Sequence, residues 1–145
     1  MTNDKTPNIA YLNEKKILIF DDDTATLEVV SIIFKEIGYE VEMAETADQI
    51  LSIVSAFLPD LILMDINIPM IGGLEATRLL KSHDAFHTIP VIFVTAKNDI
   101  EKLSSQASAD GYLSKPFNID ELEEIVARLT SGKKDDGSIV ETDRK

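Results

Sequence analysis

Several short apolar runs in this chain each end in a side chain able to do polar chemistry. Asp21-Asp22-Asp23 follows Ile17-Leu18-Ile19-Phe20, and Asp65 follows Leu61-Ile62-Leu63-Met64. Thr95 closes Val91-Ile92-Phe93-Val94, and Lys115-Pro116 follows Gly111–Ser114. One aspartate after a strand is ordinarily a helix N-cap or a turn residue, and Asp23 is read as such a cap. Capping does not account for acids after the first and third runs, a hydroxyl after the fourth and a lysine after the fifth. Asp21, Asp22 and Asp65 brought within a few ångströms raise one another's pKa unless a cation intervenes. Three hard oxygen donors with no His or Cys nearby suit Mg²⁺, which takes few carboxylates and keeps several waters. A divalent ion, the Lys115 ammonium and the Thr95 hydroxyl are the groups needed to hold the three equatorial oxygens of a phosphoryl group. A carboxylate can accept that group as an acyl phosphate. Asp65 fits the acceptor role, since it stands alone after a central strand while Asp21 and Asp22 come as a metal-binding pair. Gly72-Gly73 reads as a turn before a helix and not as a Gly-rich phosphate cradle.

The elements that must position these residues follow from periodicity. The runs at 17–20, 61–64 and 91–94 are apolar throughout, as in strands buried on both faces of a parallel sheet. Weaker strands are expected at Tyr39–Ala44 and Gly111–Ser114. Leu27, Val30, Phe34 and Ile37 recur at helical spacing, with Gly38 as the stop. Ile50, Ile53, Val54 and Phe57 repeat the pattern before Pro59. Leu74–His83 and Ile119–Leu129 are a third and a last helix, the latter with Asp120, Glu121, Glu123 and Glu124 placed near its N-terminus. Asp99–Ser108 is the weakest helix, its inward face marked only by Ile100, Leu103 and Ala107. Five β–α units in alternation predict a three-layer (βα)5 α/β sandwich with a parallel five-stranded sheet and right-handed crossovers. Ligands of such sheets bind beyond the carboxyl ends of the strands, where the acids, the hydroxyl and the lysine converge.

Composition excludes other classes. The 145 residues carry 26 acidic and 14 basic side chains, a net charge of -12, which argues against nucleic-acid and anionic-membrane surfaces. No cysteine is present, so disulfide scaffolds, Cys-ligated zinc and thiol nucleophiles are out. The N-terminal residues 1–13 read as a polar leader without the apolar stretch of a signal peptide, and residues 132–145 as a flexible tail. In that tail Lys133, Lys134, Arg144 and Lys145 balance Asp135, Asp136, Glu141 and Asp143, so the whole excess charge falls on residues 1–130. The expected domain spans residues 14–131, in the cytoplasm.

The stretches ILIFDDD, DLILMDINIP, PVIFVTA and GYLSKPF occur in order and at characteristic separations. With them the chain, from about Lys16 to Leu129, resembles the receiver domain of bacterial two-component response regulators, of the stand-alone, chemotaxis-regulator kind. The resemblance implies the flavodoxin-like strand order 2-1-3-4-5. It implies Asp65 as phosphoacceptor, and Mg²⁺ held by Asp22 directly, by Asp21 partly through water, by Asp65 and by the backbone carbonyl of Asn67. Lys115 would pair with Asp65 or its phosphate, a cis peptide before Pro116 would aim it, Thr95 would bond the phosphate, and Tyr112 would rotate into the space Thr95 leaves. The donor would be a sensor histidine kinase or a phosphotransfer protein. Output would be a contact with another protein or onward phosphotransfer, from a monomer or a weak phosphorylation-dependent dimer. The domain would catalyse its own phosphorylation and dephosphorylation and no other reaction. Ile68, Ile71 and Gly72 depart from the family pattern in ways expected to alter loop packing. Lys97 and Asn67 stand where the family tunes the lifetime of the phosphoryl group. His83 and His87 read as solvated loop residues. Two alternatives are an unphosphorylated receiver-fold scaffold, which has no need of converging acids, and a haloacid-dehalogenase-type phosphatase, whose motif Asp21-Asp22-Asp23-Thr24-Ala25 only partly matches.

Overall fold

The computed structural model describes residues 15–96 and 100–131. In chain order the elements are β1 (Lys16–Phe20), α1 (Thr24–Ile37), β2 (Glu40–Ala44), α2 (Ile50–Phe57), β3 (Leu61–Met64), α3 (Gly72–Lys81), β4 (Val91–Thr95), α4 (Ile100–Ala107), β5 (Gly111–Ser114) and α5 (Ile119–Thr130). All the strands pair in parallel, in the expected order β2-β1-β3-β4-β5.

The all-apolar runs become the three central strands because both their faces are covered. Along β1, Leu18 and Phe20 join a core layer with Ile62, Met64, Val91 and Phe93, roofed by Ile50 and Val54 of α2, Ala76 and Leu80 of α3 and Ala107 of α4. The alternate residues Ile17 and Ile19 point the other way, with Leu61, Leu63, Ile92 and Val94, against Leu27, Val30 and Phe34 of α1 and Leu122 and Val126 of α5. Every apolar side chain of a central strand therefore has a layer to enter, which is why the period-two signal vanishes there.

The elements differ from expectation mainly at their ends. Tyr39 precedes β2; its N–H bonds the Phe34 carbonyl at 3.0 Å and its ring packs edge-on against Phe34. α3 starts at Gly72, two residues earlier than the apolar spacing indicates, because glycines carry no hydrophobic signal. It ends at Lys81. There Lys81 Nζ donates to the His87 and Ile89 carbonyls and to Asp110 Oδ2 at 3.2, 2.8 and 2.8 Å, tying the end of α3 to the loops before β4 and β5. His83 is half-buried and structural: its ring stacks on Phe86 at 4.5 Å and its Nδ1 accepts the Ala85 N–H. His87 is exposed. Gly38 closes α1 with φ 117°, donating to the Lys35 and Phe34 carbonyls. Among the described residues no helix is long and apolar enough to cross a membrane.

Candidate functional site

The backbone ladders of the sheet continue one residue beyond the strands, and that residue is in each case a side chain of the site. Asp21 N–H bonds the Ala44 carbonyl at 3.1 Å, Asp65 N–H the Phe20 carbonyl at 3.0 Å, and Lys115 N–H the Thr95 carbonyl at 2.9 Å. Two carboxylates and an ammonium are thereby held at one edge of the sheet by main-chain bonds, the stiffest support the fold offers.

Each buried acid is next oriented by a local turn. Asp21 Oδ1 accepts the Asp23 N–H at 2.9 Å, and Asp65 Oδ1 accepts the Asn67 N–H at 3.0 Å. These side-chain-to-backbone bonds two residues ahead are typical of aspartate. They leave the Oδ2 atoms of both acids to Lys115, whose Nζ lies 2.7 Å from Asp21 and 3.2 Å from Asp65. Asp23 is the expected N-cap of α1, with Oδ1 on the Ala25 N–H at 3.1 Å and Oδ2 on the Thr26 hydroxyl at 2.8 Å. The triplet is thus divided: Asp21 is buried, Asp22 exposed and Asp23 committed to the helix.

The electrostatics follow from burial. Asp21, 3% exposed, has its pKa pushed up by desolvation and further by the charge of Asp65, against the lowering effect of the Lys115 and Asp23 bonds. Burial would lower Lys115, but its bond to Asp21 and the two carboxylate charges outweigh that and raise it. The bond from Thr26 holds the Asp23 carboxyl below its ordinary value. One ammonium against two buried carboxylates leaves local negative charge, and Asp22 adds to it.

Carboxylate oxygens of Asp21, Asp22 and Asp65 lie within 4.8 Å of one another. An all-oxygen donor set of this charge, open to solvent on the Asp22 side, fits a hard divalent cation such as Mg²⁺ and not a thiolate- or imidazole-seeking metal. Thr95 ends β4 fully buried, and Tyr112 on β5 is 42% exposed. Tyr112 is in register with Phe93 and Ser114 with Thr95, so Thr95 and Tyr112 lie on the same face of the sheet. The Lys115–Pro116 peptide is cis. Asn67 is exposed and Ile68 is buried in the core layer beneath α2–α4. Lys97 lies outside the described residues.

One residue of the site escaped the sequence reading. Gly73 packs directly on the backbone of Asp65: a Cβ there would press into the Asp65 carbonyl oxygen and stand 2.9 Å from both the Asp65 carbonyl carbon and Ile66 Cα. Its N–H bonds the Ile66 carbonyl at 3.0 Å. The turn was expected, but only the fold shows that the second glycine is required by contact with the Asp65 backbone, whereas a Cβ on Gly72, at φ +81°, would have its nearest neighbour 3.9 Å away.

Comparisons with known proteins place the chain in a family. The chain matches the response regulator receiver domain over residues 17–127. It is 35% identical over 108 residues to the polar-differentiation response regulator DivK of Brucella anthropi, across 72% of this chain and 87% of DivK. It is 39% identical over 119 residues to the phosphate regulon transcriptional regulatory protein PhoB of Pseudomonas aeruginosa, across 79% of this chain and 50% of PhoB. Several of the curated relatives it matches are longer proteins, of which the chain spans half or less. Among solved structures, the receiver domain of the sensor histidine kinase PA1611 from Pseudomonas aeruginosa, described with a magnesium ion coordinated in its active-site cleft, aligns with a TM-score of 0.75. That alignment has 28% identity and covers 81% of this chain and 98% of the other. From its buried acid pair bridged by a strand-end lysine to its strand order and these likenesses, the chain belongs to the response regulator receiver domain family.

Proposed function

We propose that residues 14–131 form a Mg²⁺-dependent phosphoacceptor unit in which Asp65 takes a phosphoryl group from a phosphohistidine of a sensor kinase or phosphotransfer protein. The observation that carries this reading is the placement of Asp65: buried at a central strand end, 3.2 Å from the Lys115 ammonium, with Asp21 and Asp22 oxygens in reach of a shared cation. An Asp65 carboxylate oxygen attacks phosphorus; the O–P bond forms as the donor's P–N bond breaks, and the imidazole leaves after taking up a proton.

The residues divide the work as follows. Asp21 and Asp22, with Asp65 and the Asn67 carbonyl, are suited to hold Mg²⁺, which when bound supplies positive charge to the phosphoryl oxygens. Lys115 offsets the carboxylate charge before transfer and pairs with the new phosphate after it. Thr95 donates its hydroxyl to a phosphoryl oxygen, and Tyr112, on the same sheet face, follows Thr95 inward. Asn67 and Lys97 set how long the phosphoryl group lasts. The modification turns the single negative charge of the Asp65 carboxylate into the roughly two of an acyl phosphate, beside the Asp21 and Asp22 carboxylates, which biases the surrounding loops between two arrangements. The receiver performs this transfer and the hydrolysis of the acyl phosphate, which releases inorganic phosphate and restores the Asp65 carboxylate, and no other reaction. It acts in the cytoplasm through protein contacts or onward phosphotransfer, as a monomer or a weak dimer formed on phosphorylation. Incubation with acetyl phosphate and Mg²⁺ tests the reading: the intact mass should rise by one phosphoryl group, and a chelator should prevent it. Uptake that persists in chelator contradicts the metal requirement.

A further inference from the structure

Two side-chain hydroxyls of the described residues are buried without a hydrogen-bond partner: Thr77 Oγ1 on α3 and Ser104 Oγ on α4. Their residues are 0% and 4% exposed. A hydroxyl shut away from water with no partner disfavours the packing that buries it. These two lie on adjoining helices, since α3 packs on α4 and α4 packs in turn on β4 and β5.

Among the described side chains little else anchors α4. Of its described side chains only Ser104 and Ala107 are buried and Leu103 is half-buried. By contrast α1 sets Leu27, Val30 and Phe34 into the core, and α5 sets Leu122 and Val126. One methyl and part of the Leu103 side chain, which packs against the same core layer, are a small apolar foothold, and beside them stands a hydroxyl that gains by leaving. α4 also covers the sheet face that carries Thr95 and Tyr112, because Ala107 shares a core layer with Phe93, the register partner of Tyr112. The chain runs from Thr95 through α4 to β5 and on to Lys115.

We propose that the buried Ser104 hydroxyl, with that of Thr77 on the adjoining helix, keeps α4 weakly docked, so that residues 100–107 open more readily than they would with apolar side chains there. The further claim that this weakness lets α4 yield when Asp65 is phosphorylated rests on the function proposed above.

Amide hydrogen exchange on the full chain separates the two claims. Ser104→Ala should slow exchange across residues 100–107 of the unphosphorylated protein by about tenfold relative to Ser105→Ala. Ser105 is exposed in the same helix, so its substitution carries the same gain in helix propensity without touching a buried hydroxyl. Thr77→Val, which keeps the side-chain shape, should slow the same segment. Melting temperature should rise by roughly 2–6 °C for Ser104→Ala over the Ser105→Ala control. Exchange in Ser104→Ala equal to or faster than in Ser105→Ala overturns the proposal. After acetyl phosphate and Mg²⁺, the parent should exchange faster in α4 and Ser104→Ala several-fold less so. Unchanged α4 exchange in a protein that has taken up phosphate overturns the coupling. Failure to take up phosphate overturns the function reading, while the resting-state comparison stands by itself.

Discussion

Gly73→Ala is the smallest change that strikes the site through its framework. The new methyl carbon would stand 2.9 Å from the Asp65 carbonyl carbon and from Ile66 Cα, where ordinary contact begins near 3.4 Å, so one side must retreat by roughly half an ångström or more. Neither side is a flexible side chain. Asp65 is pinned by its N–H to the Phe20 carbonyl at 3.0 Å, and α3 by the Gly73 N–H to the Ile66 carbonyl at 3.0 Å. Overpacking of this kind costs about 1–3 kcal/mol, and loss of the Gly73 bond adds about 1 kcal/mol. A total of roughly 2–4 kcal/mol lowers the melting temperature by roughly 8–16 °C at about 4 °C per kcal/mol for a domain of this size. Gly72 is the control. Its φ of +81° with only an ordinary contact, the Ile66 carbonyl oxygen 3.9 Å from an added Cβ, means that Gly72→Ala meets only the left-handed backbone penalty, about 1–2 kcal/mol. Gly72→Asn should recover part of that, since asparagine tolerates this region. Gly73→Asn should recover nothing. Thermal unfolding by circular dichroism gives the stabilities, and acetyl phosphate labelling gives the rate, which should fall in Gly73→Ala as Asp65 shifts from Lys115. A Gly73→Ala protein within about 0.5 kcal/mol of the parent and labelled at the parental rate would refute the reasoning, as would a larger loss in Gly72→Ala.

Removing the cation of the site should be visible without any phosphoryl donor. Lys115→Met leaves the Asp21 and Asp65 carboxylates facing each other; stability should fall by about 2–3 kcal/mol, less than for a fully buried pair, and added Mg²⁺ should restore more of the melting temperature than it adds to the parent. Asn118→Ala removes the acceptor of the Asp120 and Glu121 N–H groups at the start of α5; urea unfolding should show a loss of about 1 kcal/mol with labelling of Asp65 unchanged. The lowered Asp23 carboxyl contributes stability that is complete above its ordinary value of 3.8 and is lost as pH falls through the lowered one. Asp23→Asn, which still caps, should flatten that part of the acid unfolding profile; an unchanged profile contradicts it. Asp21 acts with the opposite sign, because its raised carboxyl favours the folded state on protonation, and it cancels in the difference between the two proteins.

What was legible in the sequence follows the physics of each element. β1, β3 and β4 could be read because burial on both faces writes itself as an unbroken apolar run. β2 could not be bounded as well: at the edge of the sheet it exposes Glu40, Glu42 and Met43, and its pattern is only half apolar. The strand-end residues Asp21, Asp65, Thr95 and Lys115 were legible because a parallel sheet delivers successive strand ends to one edge. The separate fates of Asp21, Asp22 and Asp23 depend instead on turn hydrogen bonds that no spacing encodes, apart from the capping tendency of Asp23. Gly73 was seen as a turn and missed as a contact, since the atom it must avoid lies on another element. The weak apolar face of α4 was apparent, but not the buried hydroxyls, because a serine in a helix looks the same whether it faces water or a neighbouring helix.

The central claim is that Asp65 itself carries the phosphoryl group. Borohydride reduction converts an acyl phosphate to an alcohol, so reductive trapping after acetyl phosphate and Mg²⁺, followed by peptide mass spectrometry, locates it. The account predicts reduction at Asp65 alone, and none in Asp65→Asn. Reduction at Asp21, Asp22 or elsewhere in the parent, or phosphoryl uptake that survives Asp65→Asn, would contradict it.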